Sequence, residues 1–149
     1  MYMDASVLVA LVRNEPTQPL LAGMMAPGKD TFYVSDLAIA EAAAGLAARA
    51  RAQNAGPDLS TANFALLDEW PTKFAEAVEV EQTDIAAANR FVRRPDFALR
   101  APDAIHIAAA HRLGATLLTL DRGMARAAAA LGVSYINPVE AEAPGETKD

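Results

Sequence analysis

The chain has 149 residues, a formal net charge of −6, 52% hydrophobic residues and no cysteine. This length fits one domain with a sizeable core, and the lack of cysteine excludes a disulfide framework and a thiolate metal site. The negative charge argues against a broad nucleic-acid-binding surface, although carboxylates gathered around a cation would count in the same sum. We expect a cytoplasmic protein, because the sequence contains neither a secretory signal nor an apolar run of membrane-spanning length.

The first half of the chain predicts short strands alternating with helices. The predicted elements are, in order, a strand at 2–3, helices over 6–13 and 16–25, a turn at 27–28, a strand over 31–34 and a helix from about 35 to 51. Asp4 closes the first strand. In the long helix, Leu37, Ala40 and Ala44 form the predicted apolar stripe, and Glu41 lies beside it.

The second half continues the alternation. A loop is predicted over 54–58, a helix over 60–70 stopped by Pro71, a weak strand over 77–80, a helix over 83–91 capped by Thr83, a helix from about 102 to 113, a strand over 115–120, a helix over 124–131 and a strand over 134–136. Alternating strands and helices imply an α/β fold with a central parallel sheet. We expect residues 1–140 to form one domain and residues 141–149 to form a disordered acidic tail.

Four acids occupy comparable places in this pattern. Asp4 and Asp121 follow strands, Asp103 begins a helix, and Glu41 lies about one turn into another helix. An acid at a helix start is ordinarily a cap, but Glu41 borders an apolar stripe, where an unpaired carboxylate is costly to bury. The carboxyl ends of parallel strands share one edge of the sheet, so the four acids are expected to converge there.

Such a cluster calls for a cation. Two carboxylates ~4 Å apart repel by about 4 kcal/mol at an effective dielectric constant of about 20, so the cluster must take up protons or a divalent ion. An all-oxygen set suits Mg²⁺ or Mn²⁺. A bound ion of this kind polarises a phosphoryl oxygen and lowers the pKa of a bound water, which predicts phosphodiester hydrolysis.

Several other residues could support this site. Ser6 and Thr119 could bond to the carboxylates, although a helix cap for Ser6 and strand propensity for Thr119 are the ordinary explanations. His106 falls one helical turn after Asp103 and could approach the crevice, but neither it nor His111 has metal-ligand spacing, and both are interpreted as packed or surface imidazoles. Four arginines crowd into the eleven residues 90–100, just before Asp103, and they either end a helix in solvent or contact a substrate phosphate. These are Arg90, Arg93, Arg94 and Arg100.

Four stretches together resemble the PIN-domain ribonucleases, particularly the VapC-type toxins of toxin–antitoxin pairs. They are MDAS, SDLAIAEAAAGL, RAPDAIHIAAAHRLGATLLTLDRGMARAA and LGVSYINP, and the likeness spans about residues 1–140. The resemblance implies a three-layer α/β/α fold and a Mg²⁺- or Mn²⁺-dependent endoribonuclease. It also implies a homodimer and a small cognate antitoxin that inhibits it. Ala5 departs from the family pattern, in which a small hydroxylated residue often follows the first acid.

The resemblance assigns Asp4, Glu41, Asp103 and Asp121 as metal-binding acids, with Ser6 or Thr119 in support. One alternative is a catalytically inactive binding module of the same fold that acts through a protein partner. A second is a phosphotransfer domain with Asp4 as nucleophile, which is disfavoured because position 6 is serine rather than a second acid. A Glu41 that points away, or an Arg or Lys lodged permanently among the acids, would contradict the nuclease hypothesis.

Overall fold

The central strand of the sheet is only two residues long. The computed structural model describes residues 1–25, 30–96 and 98–141. The strands of this part of the chain are β1 (Tyr2–Met3), β2 (Tyr33–Ser35), β3 (Glu76–Val78), β4 (Leu117–Leu118) and β5 (Tyr135–Ile136). They pair in the order β3-β2-β1-β4-β5, and all of these pairings are parallel. The predicted central parallel sheet is therefore confirmed.

Helices connect the strands. Within the described residues they are α1 (Ala5–Val12), α2 (Gln18–Met24), α3 (Asp36–Ala52), α4 (Pro57–Phe74), α5 (Gln82–Phe91), α6 (Ala101–Arg112), α7 (Arg122–Ala130) and α8 (Pro138–Ala141). None of these helices combines the length and the apolar character that a membrane crossing requires. The turn expected at 27–28 and residues 142–149 of the expected tail lie outside the described residues.

The sheet is covered on both faces. Successive residues of a strand point to opposite faces, and this alternation is visible in the two central strands. Met3 and Leu118 belong to a hydrophobic cluster with residues of α1, α2, α3 and α4. Tyr2 and Leu117 belong to a second cluster, with residues of α6 and α7. The architecture is three-layered, α/β/α, as the resemblance implies.

The strand order reverses between β1 and β4. The chain passes from β1 to β2 and β3 on one side of the sheet, and then to β4 and β5 on the other. In open α/β sheets, the crevice outside the carboxyl ends of the strands at such a reversal is the usual place for a ligand. Asp4 directly follows β1 and Thr119 directly follows β4, so both lie at this point.

Helices α4 and α5 differ from the prediction in their boundaries. Helix α4 runs from Pro57 to Phe74 and continues through Pro71 instead of stopping before it. Pro71 is buried, and its carbonyl accepts a hydrogen bond from the Ala75 amide at 3.0 Å, so this proline packs into the core close to the helix end. Helix α5 is capped by Glu81 rather than Thr83.

Helix α3 also buries a different face from the predicted one. Ala38, Ala42 and Leu46 are buried, whereas Ala40 and Ala44 are exposed. Alanine occurs on both faces of this helix, so the sequence offers little hydrophobic contrast from which to choose the buried face.

Helices α5 and α6 are joined by a buried ion pair. Asp84 is 1% exposed and accepts hydrogen bonds from Nε and Nη2 of Arg112, both at 2.9 Å. Arg112 also donates to Glu81 at 2.8 Å, and the Glu81 amide donates to Asp84 at 2.9 Å. Asp84 therefore has partners for both carboxylate oxygens despite its burial.

Candidate active site

A pocket of about 100 Å³ lies at the carboxyl ends of β1 and β4. Carboxylates from four separate segments line it, and these are Asp4, Glu41, Asp103 and Asp121. Asp4 and Asp121 cap the starts of α1 and α7, Asp103 lies in the first turn of α6, and Glu41 lies in the second turn of α3. A larger pocket, of about 170 Å³, is lined by Arg13 and Arg49 and by no acid.

Two hydroxyl groups fix Asp4 to the end of β4. Thr119 Oγ1 donates to Asp4 Oδ2 and Ser6 Oγ donates to Asp4 Oδ1, both at 2.6 Å. Each hydroxyl oxygen also accepts a backbone amide, Thr119 from Asp121 at 3.0 Å and Ser6 from Leu120 at 2.9 Å. Each backbone amide donates to a hydroxyl oxygen, so the hydroxyl proton itself is directed at Asp4.

Asp4 is the most deeply buried of the four acids, at 2% exposure. Burial raises the pKa of the Asp4 carboxyl above its ordinary value, and the hydrogen bonds from Ser6 and Thr119 oppose this rise. The Val7 amide donates a third hydrogen bond, to Oδ1 at 3.2 Å. These donors favour the charged form of the Asp4 carboxylate and so act against the effect of burial.

Arg100 lies at the rim of the pocket, against Asp103. Its Nε is 3.0 Å from Asp103 Oδ2, its Nη2 is 3.3 Å from Asp103 Oδ1, and Nη2 is 4.0 Å from Asp121 Oδ2. The hydrogen bond to Asp103 and the nearby negative charges raise the pKa of Arg100. The Arg100 side chain is 77% exposed, so the guanidinium covers the rim from the solvent side and is not enclosed by the acids.

Of the four arginines that precede Asp103 in sequence, Arg100 lines the pocket. Arg93 donates to Asn89 on α5, and Arg94 donates to Asp96, both on the surface. The sequence alone could not separate Arg100 from its neighbours, because the separation follows from where α6 begins.

Glu41 faces the pocket, and a buried histidine is its partner. His106 Nε2 is 2.6 Å from Glu41 Oε2, and His106 is 1% exposed. The sequence interpretation of His106 as a packed imidazole describes its burial but misses this contact. Its position one helical turn after Asp103 already indicated a possible approach to the crevice, because it places both residues on the same face of α6. His111 is exposed, as interpreted.

The chemistry of the pocket fits a hard divalent cation. The four acids supply oxygen donors only, which Mg²⁺ and Mn²⁺ prefer. In the part of the chain that the structure describes, no three His, Cys, Asp or Glu side chains stand in a ready metal-coordinating arrangement. Each acid is instead held by a partner from the protein, Asp103 by Arg100 and Glu41 by His106.

The family model of the PIN domain matches residues 1–130. No curated protein matches the chain significantly. Similar solved structures include FitAcB from Neisseria gonorrhoeae, with a TM-score of 0.72, 18% sequence identity, and coverage of 93% of this chain and 97% of that chain.

Two further structures are similar. VapBC2 from Rickettsia felis, bound to a DNA fragment from its promoter, has a TM-score of 0.69 and 14% identity, with coverage of 91% of this chain and 96% of that chain. VapC20 from Mycobacterium tuberculosis, a sarcin–ricin loop cleaving toxin, has a TM-score of 0.67 and 18% identity, with coverage of 92% and 98%.

At these identities the solved structures establish a shared fold, and they are toxin–antitoxin proteins of the VapC and FitB kind. The resemblance noted from the sequence and the α/β/α fold class are confirmed. Since the family model covers most of its length, the chain belongs to the PIN domain family, whose members are typically nucleases.

Proposed function

We propose that this protein is a Mg²⁺- or Mn²⁺-dependent endoribonuclease, the toxin component of a toxin–antitoxin pair. One observation carries the proposal: four carboxylates from distant segments line a single pocket at the strand reversal of a PIN fold. The metal-binding and catalytic residues of the proposal are Asp4, Glu41, Asp103 and Asp121, with Ser6 and Thr119 in support.

The proposed chemistry is hydrolysis of RNA phosphodiester bonds. A bound divalent ion supplies Lewis acidity toward a phosphoryl oxygen and lowers the pKa of a bound water. The protein's part is to hold the acids in place, and the Ser6 and Thr119 hydroxyls do this for Asp4 by donating to both of its oxygens. Their hydrogen bonds stabilise the charged carboxylate that a cation requires.

Arg100 is proposed to contact the RNA backbone. Its planar guanidinium can bind a phosphate through two parallel hydrogen bonds, as it binds Asp103 in this structure. The side chain is largely exposed, so it can leave Asp103 without unpacking the core. On this view Arg100 holds Asp103 in the free protein and a substrate phosphate in the complex.

The proposal includes a protein partner. VapBC2 and FitAcB are toxin–antitoxin proteins, which supports a small antitoxin as the partner of this chain. An arginine of such a partner could pair with the acidic pocket and block it, because charge-assisted hydrogen bonds to carboxylates are strong. We further propose a homodimer acting on cytoplasmic RNA, with residues 1–140 as the nuclease domain and residues 141–149 as a tail. Light scattering on the purified protein tests the dimer.

Incubation of the purified protein with a total RNA pool, with and without Mn²⁺, followed by mapping of the new RNA ends, tests the nuclease. New ends are expected only with the metal, and Asp103→Asn is expected to remove them. Mn²⁺ should also raise the melting temperature by mass action. Unchanged RNA, or a melting temperature that does not respond to millimolar Mn²⁺, would contradict the proposal.

The contact between Arg100 and Asp103 favours one other function, a binding module of the PIN fold without catalysis. In that case Arg100 would be a permanent counter-ion of the acids. Cleavage by the wild-type protein that depends on Mn²⁺ and on Asp103 excludes this alternative. Removal of Arg100, developed in the Discussion, separates the two functions through metal binding.

A further inference from the structure

A chain of buried hydrogen bonds leads from Glu41 to the two strands below the pocket. His106 Nε2 lies 2.6 Å from Glu41 Oε2, and His106 Nδ1 lies 2.8 Å from the Tyr2 hydroxyl. The Tyr2 hydroxyl lies 2.7 Å from Ser35 Oγ, which accepts the Ala38 amide at 3.1 Å. Glu41, His106, Tyr2 and Ser35 are called the Glu41 relay below.

The relay connects three of the segments that carry the site acids. Tyr2 lies on β1, two residues before Asp4. Ser35 caps α3, the helix that carries Glu41. His106 lies on α6, one turn after Asp103. A shift of any of these segments relative to the others would therefore break a hydrogen bond of the relay.

One set of proton positions satisfies every hydrogen bond of the relay. The Glu41 carboxylate only accepts, so the proton of this contact is on His106 Nε2. Burial raises the pKa of the Tyr2 phenol, which keeps its proton. If Ser35 donates to Tyr2 and Tyr2 donates to His106 Nδ1, every relay proton has an acceptor. A doubly protonated His106 would reverse both bonds and leave the Ser35 proton without an acceptor among the described contacts.

We propose that His106 is a positioning residue that holds Glu41 toward the pocket through Nε2–H, with Tyr2 and Ser35 fixing its tautomer. This inference rests on the proposed function, in which Glu41 is a metal-binding acid. The Glu41 side chain is 34% exposed and would otherwise be free to turn into solvent, so fixing one oxygen removes rotamer freedom before a cation binds. His106 bonds to Oε2, and no described contact uses Oε1, which remains available to the pocket.

The proposed role of His106 differs from simple packing in the core, because it depends on one particular hydrogen bond of the two that His106 makes. Packing and the ring contact with Tyr2, at 5.7 Å between centroids, would suffice to explain a buried imidazole. The proposal instead requires the Nε2 bond. His106→Gln places an amide nitrogen near the position of Nε2 and preserves that bond. His106→Asn places a polar atom near the position of Nδ1 and preserves the contact with Tyr2 instead.

The test is calorimetric titration of Mn²⁺ into wild type, His106→Gln and His106→Asn, with melting temperatures measured in chelator. His106→Asn should weaken Mn²⁺ binding by about tenfold, as loss of an outer partner of a metal ligand typically does, and His106→Gln should bind closer to wild type. The exposed histidine of the same helix supplies the control, His111→Asn. Equal affinities in His106→Asn and wild type, or equal losses in the Asn and Gln variants, would overturn the proposal.

A double variant asks whether His106 acts through Glu41. In a Glu41→Gln background, His106→Asn should weaken Mn²⁺ binding no further, and an additional tenfold loss would overturn the proposal. Nitrogen NMR of labelled histidine in metal-free protein should show the Nε2–H tautomer, and an Nδ1–H tautomer would also overturn it. A wild type that binds no Mn²⁺ overturns the proposed function and the positioning role with it. If wild type binds Mn²⁺ with the same affinity as His106→Asn, the positioning role alone is overturned.

Discussion

Replacement of Arg100 by alanine is the sharpest perturbation of the site. The guanidinium makes two hydrogen bonds to Asp103, at 3.0 and 3.3 Å, and approaches Asp121 to 4.0 Å. A cation that uses the Asp103 oxygens must first separate this pair. The pair is exposed to solvent on the arginine side, so its separation costs roughly 0.2–1 kcal/mol.

That cost sets the size of the expected effect. A free energy of 0.2–1 kcal/mol corresponds to a factor of about 1.4 to 5 in a dissociation constant. Arg100→Ala should therefore bind Mn²⁺ about 1.4 to 5 times more tightly than wild type. RNA cleavage should instead become weaker, with a higher KM, because the proposed phosphate contact is lost. The two opposite shifts are the signature of a residue that alternates between Asp103 and substrate.

The assay is Mn²⁺ titration by calorimetry together with steady-state cleavage of a labelled RNA. Arg93→Ala is the matched control, since Arg93 is an exposed arginine of the same stretch that contacts Asn89 rather than an acid of the pocket. Unchanged Mn²⁺ affinity in Arg100→Ala would refute the energetic reasoning. Binding of Mn²⁺ by Arg100→Ala but not by wild type would show that Arg100 blocks the site permanently, and the nuclease hypothesis would then be wrong.

Three further predictions concern stability and pH. Asp103→Asn should abolish RNA cleavage and cellular toxicity, yet change the free energy of unfolding, measured in urea with chelator, by less than about 1 kcal/mol, because its partner is exposed. Arg112→Ala should cost about 3 kcal/mol in the same assay, since it leaves the buried Asp84 carboxylate without its counter-ion, and a cost below that of Asp84→Ala would contradict this account. Because burial raises the pKa of Asp4 in the folded state, the folded protein binds its proton more tightly than the unfolded chain does. The stability contributed by Asp4 should therefore fall as pH rises from about 4 through the folded pKa, and Asp4→Asn should remove this slope in urea titrations at a series of pH values.

Much of the fold followed from local pattern. The apolar run at 115–120 and the acid after it predicted a buried strand, and the central part of that run is β4. The same alternation of strands and helices predicted the parallel sheet. The buried face of an alanine-rich helix was harder to predict, because alanine is tolerated on every face of a helix. The buried face of α3 is the one on which α1 and α4 pack. The positions of these two helices cannot be predicted from the sequence of α3 alone.

The candidate site was also predictable from the sequence only in part. Three of the four acids could be found because each occupies a position that one strand end or one helix start defines, and Glu41 could be found because it borders an apolar stripe of its helix. Ser6 and Thr119 could be named as possible supports, but which acid each partner contacts could not be predicted. The contact of Thr119 with Asp4 spans 115 positions in sequence, and that of His106 with Glu41 spans 65, so both depend on the strand order. The role of Arg100 depends on its side chain turning back over the start of α6, which no spacing rule predicts.

The hydrogen bonds around Asp4 also determine how much of it is left for any other partner. Each carboxylate oxygen has two lone pairs, and Oδ1 already accepts from Ser6 and from the Val7 amide. Among the residues that the structure describes, Thr119 alone donates to Oδ2, which retains one lone pair. Asp4 therefore has a single lone pair left for a further partner such as a cation. It cannot chelate that cation with both oxygens, however strong the attraction between their charges.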